Sequence, residues 1–222
     1  MQISAEEPER DEGADMRKLV VETFSSLDGV MQAPGGPDED RDRGFSHGGW
    51  VVPYLDDLLA PANAGVDELS ALLLGRKTYE EFAASWPLVG DDNPVAAKFN
   101  RVPKYVASRT LTSADWNNST VLTGDVAESV AELKRQPGTG EIQVHGSSEL
   151  IQTLLRHDLI DEYRVKVFPV LIGTGKRLFG DGTLPRTLTL VDSTTSPNGV
   201  TMSTYARAGE LRTGFYGAEF DN

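Results

Sequence analysis

The run Leu72-Leu73-Leu74-Gly75-Arg76-Lys77-Thr78-Tyr79-Glu80 holds the residue types best spaced for chemistry. A short apolar segment stops at a glycine, and a helical pattern begins. A helix N-terminus presents unpaired backbone N–H groups and a partial positive charge. Gly75 lets an anion approach the backbone, and Arg76, Lys77 and Thr78 add side-chain donors, which together suit a phosphate. The same residues also suit a capped strand followed by a solvated basic helix start. Ser108-Arg109-Thr110 repeats the chemistry at a second strand end, with a guanidinium able to hold phosphate bidentately. Alone that tripeptide reads equally as a surface turn. Two such sites on successive strands imply a phosphorylated nucleotide cofactor. One site would take the pyrophosphate and the other an adenosine 2′-phosphate.

A third strand end, Val144-His145-Gly146-Ser147-Ser148-Glu149-Leu150, runs through small residues into an apolar-faced helix. It is a further anion site, although it is not a G-x-G-x-x-G fingerprint because only Gly146 is glycine. Ser147 or Ser148 also suits a simple helix cap, and His145 a polar rim. Gly173-Thr174-Gly175-Lys176 lacks the spacing of a Walker A loop, so nucleotide hydrolysis is not indicated. It suits a tight turn, or a loop that brings Lys176 and Arg177 to a substrate. Arg43, His47 and Lys176 are candidate contacts for an anionic substrate.

Bulk properties narrow the partners. A net charge of −13 over 222 residues repels nucleic acid and anionic membrane. Much of the charge is local: residues 1–15 hold six acids against Arg10, which reads as a disordered acidic tail. Met16 stands directly before the first strand pattern and reads as a start in its own right. The absence of cysteine excludes disulfides, thiolate catalysis and cysteine-ligated zinc, and fits a reducing cytoplasm. No run approaches the roughly 18–20 apolar residues of a membrane span, and the acidic N-terminus is not a signal peptide.

These residues are positioned by alternating elements. Strands are expected at 18–25, 71–74, 104–107, 121–122, 141–144 and 163–170, with helices at 76–85, 93–99, 125–136 and 147–157. A helix turn is expected at 54–59. The segment 32–49, rich in Gly, Pro and Asp, is a long loop of the kind that is often functional. Strands at 187–192 and 200–206 flank Pro197-Asn198-Gly199 as a hairpin. The expected fold is a single three-layer α/β domain over 16–208, its sheet mostly parallel with an antiparallel C-terminal edge hairpin. Residues 209–222 are expected as a polar tail whose Phe215, Tyr216 and Phe220 dock on a surface or a partner subunit.

Leu-Leu-Leu-Gly-Arg-Lys-Thr-Tyr at 72–79 and Ser-Arg-Thr at 108–110 resemble the NADPH-binding signature of dihydrofolate reductase. Ser26-Leu-Asp-Gly29, the segment 144–155, Leu159-Ile-Asp-Glu-Tyr163 and Pro169–Phe179 are similar to the reductase domain of the bacterial riboflavin-biosynthesis deaminase-reductase and its stand-alone relatives. The resemblance spans about residues 17–207. It implies a dihydrofolate reductase-like fold and an NADPH-dependent oxidoreductase, usually homodimeric. Carried over by position, it implies that Gly75, Arg76, Lys77 and Thr78 bind cofactor phosphates. Ser108, Arg109 and Thr110 would take the 2′-phosphate end, and His145, Gly146, Ser147 and Ser148 the pyrophosphate and nicotinamide side. Two departures stand out. The riboflavin enzyme usually has an acid where His145 stands, an acid that helps hold its pyrimidine substrate. Dihydrofolate reductase places a carboxylate shortly after a Trp-x-x-Pro pattern; Trp50-Val-Val-Pro53 is present here, with Asp56 one residue late. Asp56, half-buried beside a substrate-contacting Trp50, would have its pKa raised and could pass a proton. Asp56 and Asp57 equally suit a solvated helix face. Asp28 is the second catalytic candidate, although Leu-Asp-Gly is also a common turn. No metal site is expected. The implied function is hydride transfer to a small heterocyclic substrate of the 5-amino-6-(5-phosphoribosylamino)uracil type. The alternatives are a dihydrofolate reductase in the narrow sense and a non-catalytic NADPH-binding paralogue.

Overall fold

Apolar runs without alternation demand burial on both faces, and the chain meets that demand with a covered parallel sheet. In the computed structural model, residues 16–57 and 65–215 are described, apart from the side chains of Asp56 and Asp57. The acidic tail, the end of the expected helix turn at 58–59, and Tyr216 and Phe220 lie outside the described residues. The strands are β1 (Leu19–Ser26), β2 (Leu69–Gly75), β3 (Lys104–Ala107), β4 (Ser119–Leu122), β5 (Glu141–His145), β6 (Glu162–Phe168), β7 (Arg186–Thr195) and β8 (Thr201–Glu210). The helices are α1 (Arg76–Ser85), α2 (Pro94–Arg101), α3 (Val126–Arg135) and α4 (Ser148–Arg156). One eight-stranded sheet has the order β4-β3-β2-β5-β1-β6-β8-β7. Its first six strands are parallel; β8 and β7 add on antiparallel to their neighbours.

Side-chain alternation divides the core between the two faces. Leu19, Val21, Ala71, Leu73, Ile142 and Val144 pack against Val130 and Leu133 of α3 and Leu150, Ile151 and Leu154 of α4. Leu72, Leu74 and Val106 point the other way, against Tyr79 of α1 and Phe99 of α2. Leu69 joins this second group although it has odd parity, because a register shift between Leu69 and Ala71 inserts one residue.

The long loop is ordered over the second face, beyond α1 and α2. Phe168 is wholly buried and takes edge contacts from Phe24, Trp50 and Tyr54 at ring-centroid distances of 5.5, 5.4 and 5.5 Å. Tyr54 belongs to a 3-10 helix, Val52–Asp57, which stands where a helix turn was expected to start at Tyr54. The C-terminal hairpin is longer than its apolar pattern suggested. The residues beyond the expected bounds, 193–195 and 207–210, are exposed and lack apolar burial, and Gly199, at φ 84°, makes the turn. Among the described residues no helix is long and apolar enough to cross a membrane. Truncating the Phe168 ring should leave a cavity under the 3-10 helix. Phe168→Ala is expected to cost about 3–5 kcal/mol in urea denaturation.

Candidate active site

Neighbouring strands β2 and β5 send their helices to opposite faces of the sheet, α1 to one and α4 to the other. Chains that diverge this way leave a crevice at the carboxyl ends of the strands, the usual ligand position in open α/β sheets. The helix starts differ in a telling way. Asn93 caps α2 by accepting from the N–H groups of Val95 and Ala96, and Asp125 caps α3 by accepting from Glu128 N–H. The two helices at the crevice, α1 and α4, have no side-chain cap. Their first-turn donors are therefore open to an anion.

One serine joins the two sides. Ser147 Oγ accepts the Gly75 N–H at 2.8 Å and donates to Thr78 Oγ1 at 2.7 Å. The expected cap is thus replaced by a bridge between strand ends. Ser147 pays for this with a left-handed backbone, φ 66°. Gly75 permits the approach, since a Cβ there would lie 3.0 Å from Ser147 Oγ. Gly146, at φ 65°, turns β5 into the crevice, and its N–H donates to the Glu22 carbonyl at 3.3 Å. Gly75, Thr78, Gly146 and Ser147 are therefore brought together, with Ser148 opening α4 beside them. Ala107 pairs in register with Gly75, so Ser108, Arg109 and Thr110 follow one strand further out on the same edge. Ser108 Oγ accepts from Thr110 and Leu111 N–H, shaping a turn that leaves Arg109 exposed.

Arg76, Lys77 and Lys176 are engaged by carboxylates. Arg76 pairs with Glu80 along α1 at 2.9 Å. Lys77 and Lys176 share two carboxylates of the long loop: Lys77 meets Asp40 at 2.8 Å and Asp42 at 2.6 Å, and Lys176 meets them at 2.6 and 2.8 Å. These lysines hold Asp42 at a pKa of about 2. Gln32 completes the knot, donating to the Asp40 and Asp42 carbonyls and accepting from Lys176 N–H. Arg43 is exposed, and His47 packs its ring against Phe45. A groove of about 730 Å³ lies beside α1, lined by Tyr79, Ala83, Asn100 and Trp116 and by Leu111, whose N–H donates to Ser108 Oγ.

Asp28 is placed in a turn. It accepts from Ser26 Oγ at 2.6 Å and from Ile172 and Gly173 N–H at 3.1 and 2.7 Å, which lowers its pKa to about 2. An ionised, saturated carboxylate favours the turn-forming role over proton donation. Asp56 lies on the backbone of the 3-10 helix, and its side chain falls outside the description. Trp50 donates through Nε1 to the Gln32 carbonyl and presents its ring to Phe168.

Charges inside the sheet were not foreseen as a site. Glu22, Gln143, Arg164 and Lys166 lie on the face opposite α3 and α4, with Glu22 in register between His145 and Arg164. Glu22 Oε1 accepts from Lys166 Nζ at 2.5 Å. Burial pushes the Glu22 carboxyl up, but Lys166, His145 and Arg164 pull it below its ordinary value. The available signal was an acid within an apolar strand, and charges alternating at 162, 164 and 166.

The fold and the crevice define a dihydrofolate reductase-like α/β protein. The dihydrofolate reductase of Enterococcus faecalis complexed with NADP(H) and RAB-propyl superposes with a TM-score of 0.53 at 14% identity, covering 86% of this chain and 96% of that one. A putative riboflavin biosynthesis protein from Shewanella sp. PV-4 superposes with a TM-score of 0.60 at 22% identity, covering 86% and 99%. The profile of the RibD C-terminal domain family matches residues 17–202, and the chain belongs to that reductase-like family. The uncharacterized protein YyaP of Bacillus subtilis (strain 168) is 28% identical over 196 residues, 85% of this chain and 94% of YyaP.

His145 packs against Phe82 and Phe99 and bonds Gln143 Oε1 through Nε2 at 3.1 Å. Burial lowers its pKa, against the pull of Glu22 and with the push of Lys166 and Arg164. The unfolded chain takes up this proton near pH 6.5 and the folded one does so only at lower pH. The His145 contribution to stability is thus complete above about pH 6.5 and is lost as pH falls below it. Thermal midpoints measured from about pH 8 to about pH 5 should fall less steeply in His145→Gln than in the parent.

Proposed function

We propose that the protein is an NADPH-dependent reductase of the riboflavin-biosynthesis type, transferring hydride to a polarised C=N or C=O bond of a small heterocycle. The observation that carries this is the pair of uncapped helix starts, α1 and α4, facing one crevice bridged by Ser147. Those donors fit a pyrophosphate. In this assignment Gly75, Thr78, Gly146, Ser147 and Ser148 hold the diphosphate, while Ser108, Arg109 and Thr110 hold the 2′-phosphate. Arg76 and Lys77 add positive charge once their carboxylate partners yield. The cofactor, when bound, supplies the hydride; the protein supplies position, electrostatics and exclusion of water. His145, neutral and ringed by Phe82 and Phe99, walls the crevice on the α1 side. The aromatic cluster around Phe168, with Trp50, walls the opposite side. Family membership and the NADP(H) complex of the superposed dihydrofolate reductase support the assignment.

A homodimer belongs to the same proposal. Among the described residues β7, like β4, is an edge of the sheet, and it exposes Leu190 and Val191, at 54% and 60%, as edges ready for a second copy do.

Arg109→Ala should separate the two nicotinamide cofactors. A charge-assisted contact to the 2′-phosphate is worth about 1.5–3 kcal/mol, so NADPH affinity by calorimetry should drop by about 10- to 100-fold. NADH affinity should stay unchanged. Equal losses for both would remove Arg109 from the 2′-phosphate. NADPH binding without oxidation across pyrimidines, pterins and quinones would instead indicate a non-catalytic binder.

A further inference from the structure

The amino end of the parallel sheet, opposite the crevice, carries a second concavity. A pocket of about 250 Å³ lies where the end of α4 meets the start of β6 and the loop before β7. Leu155, Ile160, Leu184 and Leu188 wall it, and Tyr163 and Phe179 line it with rings 5.8 Å apart. Phe179 is 49% exposed and Leu184 38%, so apolar surface faces water here. A cavity of about 150 Å³ lined by such residues takes a benzene ring, so an aromatic side chain fits. Burial pushes the Tyr163 phenol up to about 12, which keeps its hydroxyl a donor. Charge at the rim is uneven. Arg186 and Arg207 both meet Asp158, at 3.2 and 3.3 Å, and Arg207 and Lys134 both meet Asp161, at 3.6 and 2.6 Å. Three cations thus share two carboxylates at ion-pair distance.

The chain leaves the sheet beside this pocket. β8 runs antiparallel to β6 and passes beyond Ala206, the partner of Glu162. Its last residue, Glu210, pairs in register with Arg186, which lines the pocket. Leu211 and Phe215 follow, 53% and 81% exposed, so neither fills it. Residues 216–222 lie outside the described residues and hold two more aromatic side chains. Tyr216 stands between Phe215 and Gly217, whereas Phe220 stands between the acids Glu219 and Asp221. The ten residues from Glu210 to Phe220 span up to about 35 Å, ample for a pocket whose rim is the point of departure. An apolar ring between two acids complements an apolar well beside crowded cations. We propose that segment 216–222 docks on its own chain, with Phe220 in this pocket and Glu219 and Asp221 against Arg186 and Arg207. The docked segment clasps the β7–β8 hairpin to α4 and covers Phe179 and Leu184.

The chain has no cysteine, so two introduced ones report a single contact. Pro185→Cys lies on the exposed rim of the pocket, and Asn222→Cys lies two residues beyond Phe220. The full chain carrying both should close an intramolecular disulfide in a glutathione redox buffer, with the rate followed by mass spectrometry. Adding Phe220→Ala should slow closure by about 10- to 100-fold, the scale of burying a large apolar side chain. Leu184→Glu, at an exposed position of the pocket wall, should slow it comparably and leaves the segment itself intact. Closure at an unchanged rate in Phe220→Ala overturns the proposal. Disulfides formed mainly between chains would put the segment on a second copy and overturn it as well. Cofactor binding does not enter the readout, so the docking stands or falls apart from the reductase assignment.

Discussion

Everything in the site depends on two neighbouring strands parting company. β2 and β5 lie side by side, yet α1 and α4 leave for opposite faces. The gap between them is held to a fixed width by one hydroxyl, because Ser147 Oγ satisfies the Gly75 N–H and bonds Thr78. That bridge uses the side chain that would otherwise cap α4. It leaves the first turn of α4 with donors unspent, and α1 starts after Gly75, which has no side chain to cap it, so two positive helix ends meet at the same strand ends. The left-handed backbone at Ser147 and the turn at Gly146 are the local costs of this arrangement, and no other helix start among the described residues shows it.

The second constraint is charge inside the sheet. Arg164, Glu141, Glu162 and Lys18 form a closed network at the amino ends of β5 and β6, where each charge is answered. Glu22 and Lys166 sit further along the strands, and among the described residues their side chains hydrogen-bond to each other alone, with His145 and Arg164 adding charge nearby. Desolvated charge is tolerated where it is paired, and of the two groups this one has the fewer partners. The two loop carboxylates Asp40 and Asp42 quench Lys77 and Lys176, so a phosphate that recruits Lys77 must compete with the protein's own anions.

The sequence made the frame legible because the frame is periodic. β3 and α1 fall where Pro87, Gly75 and the apolar spacing put them, and the apolar face of α4 is the expected Leu150, Ile151, Leu154 and Leu155. The strand-end glycines were legible because backbone turns restrict residue choice. What was not legible is long-range pairing. Glu22 and Lys166 lie 144 positions apart, and each strand alone reads as buried β with a charge in it. Ser147 had two meanings, cap or phosphate ligand, and the structure adds a third that depends on the distant Gly75 and Thr78. Asp28 shows the reverse case: its carboxylate lies against the backbone of Ile172 and Gly173, a contact no local spacing encodes.

The most direct measurement is a crystal structure of the full chain grown with NADPH. Diphosphate density should lie in the crevice between β2 and β5, within hydrogen-bond reach of the first N–H groups of α1 and α4. Cofactor density in the groove beside Tyr79 and Trp116, or an empty crevice at saturating NADPH, would contradict the account.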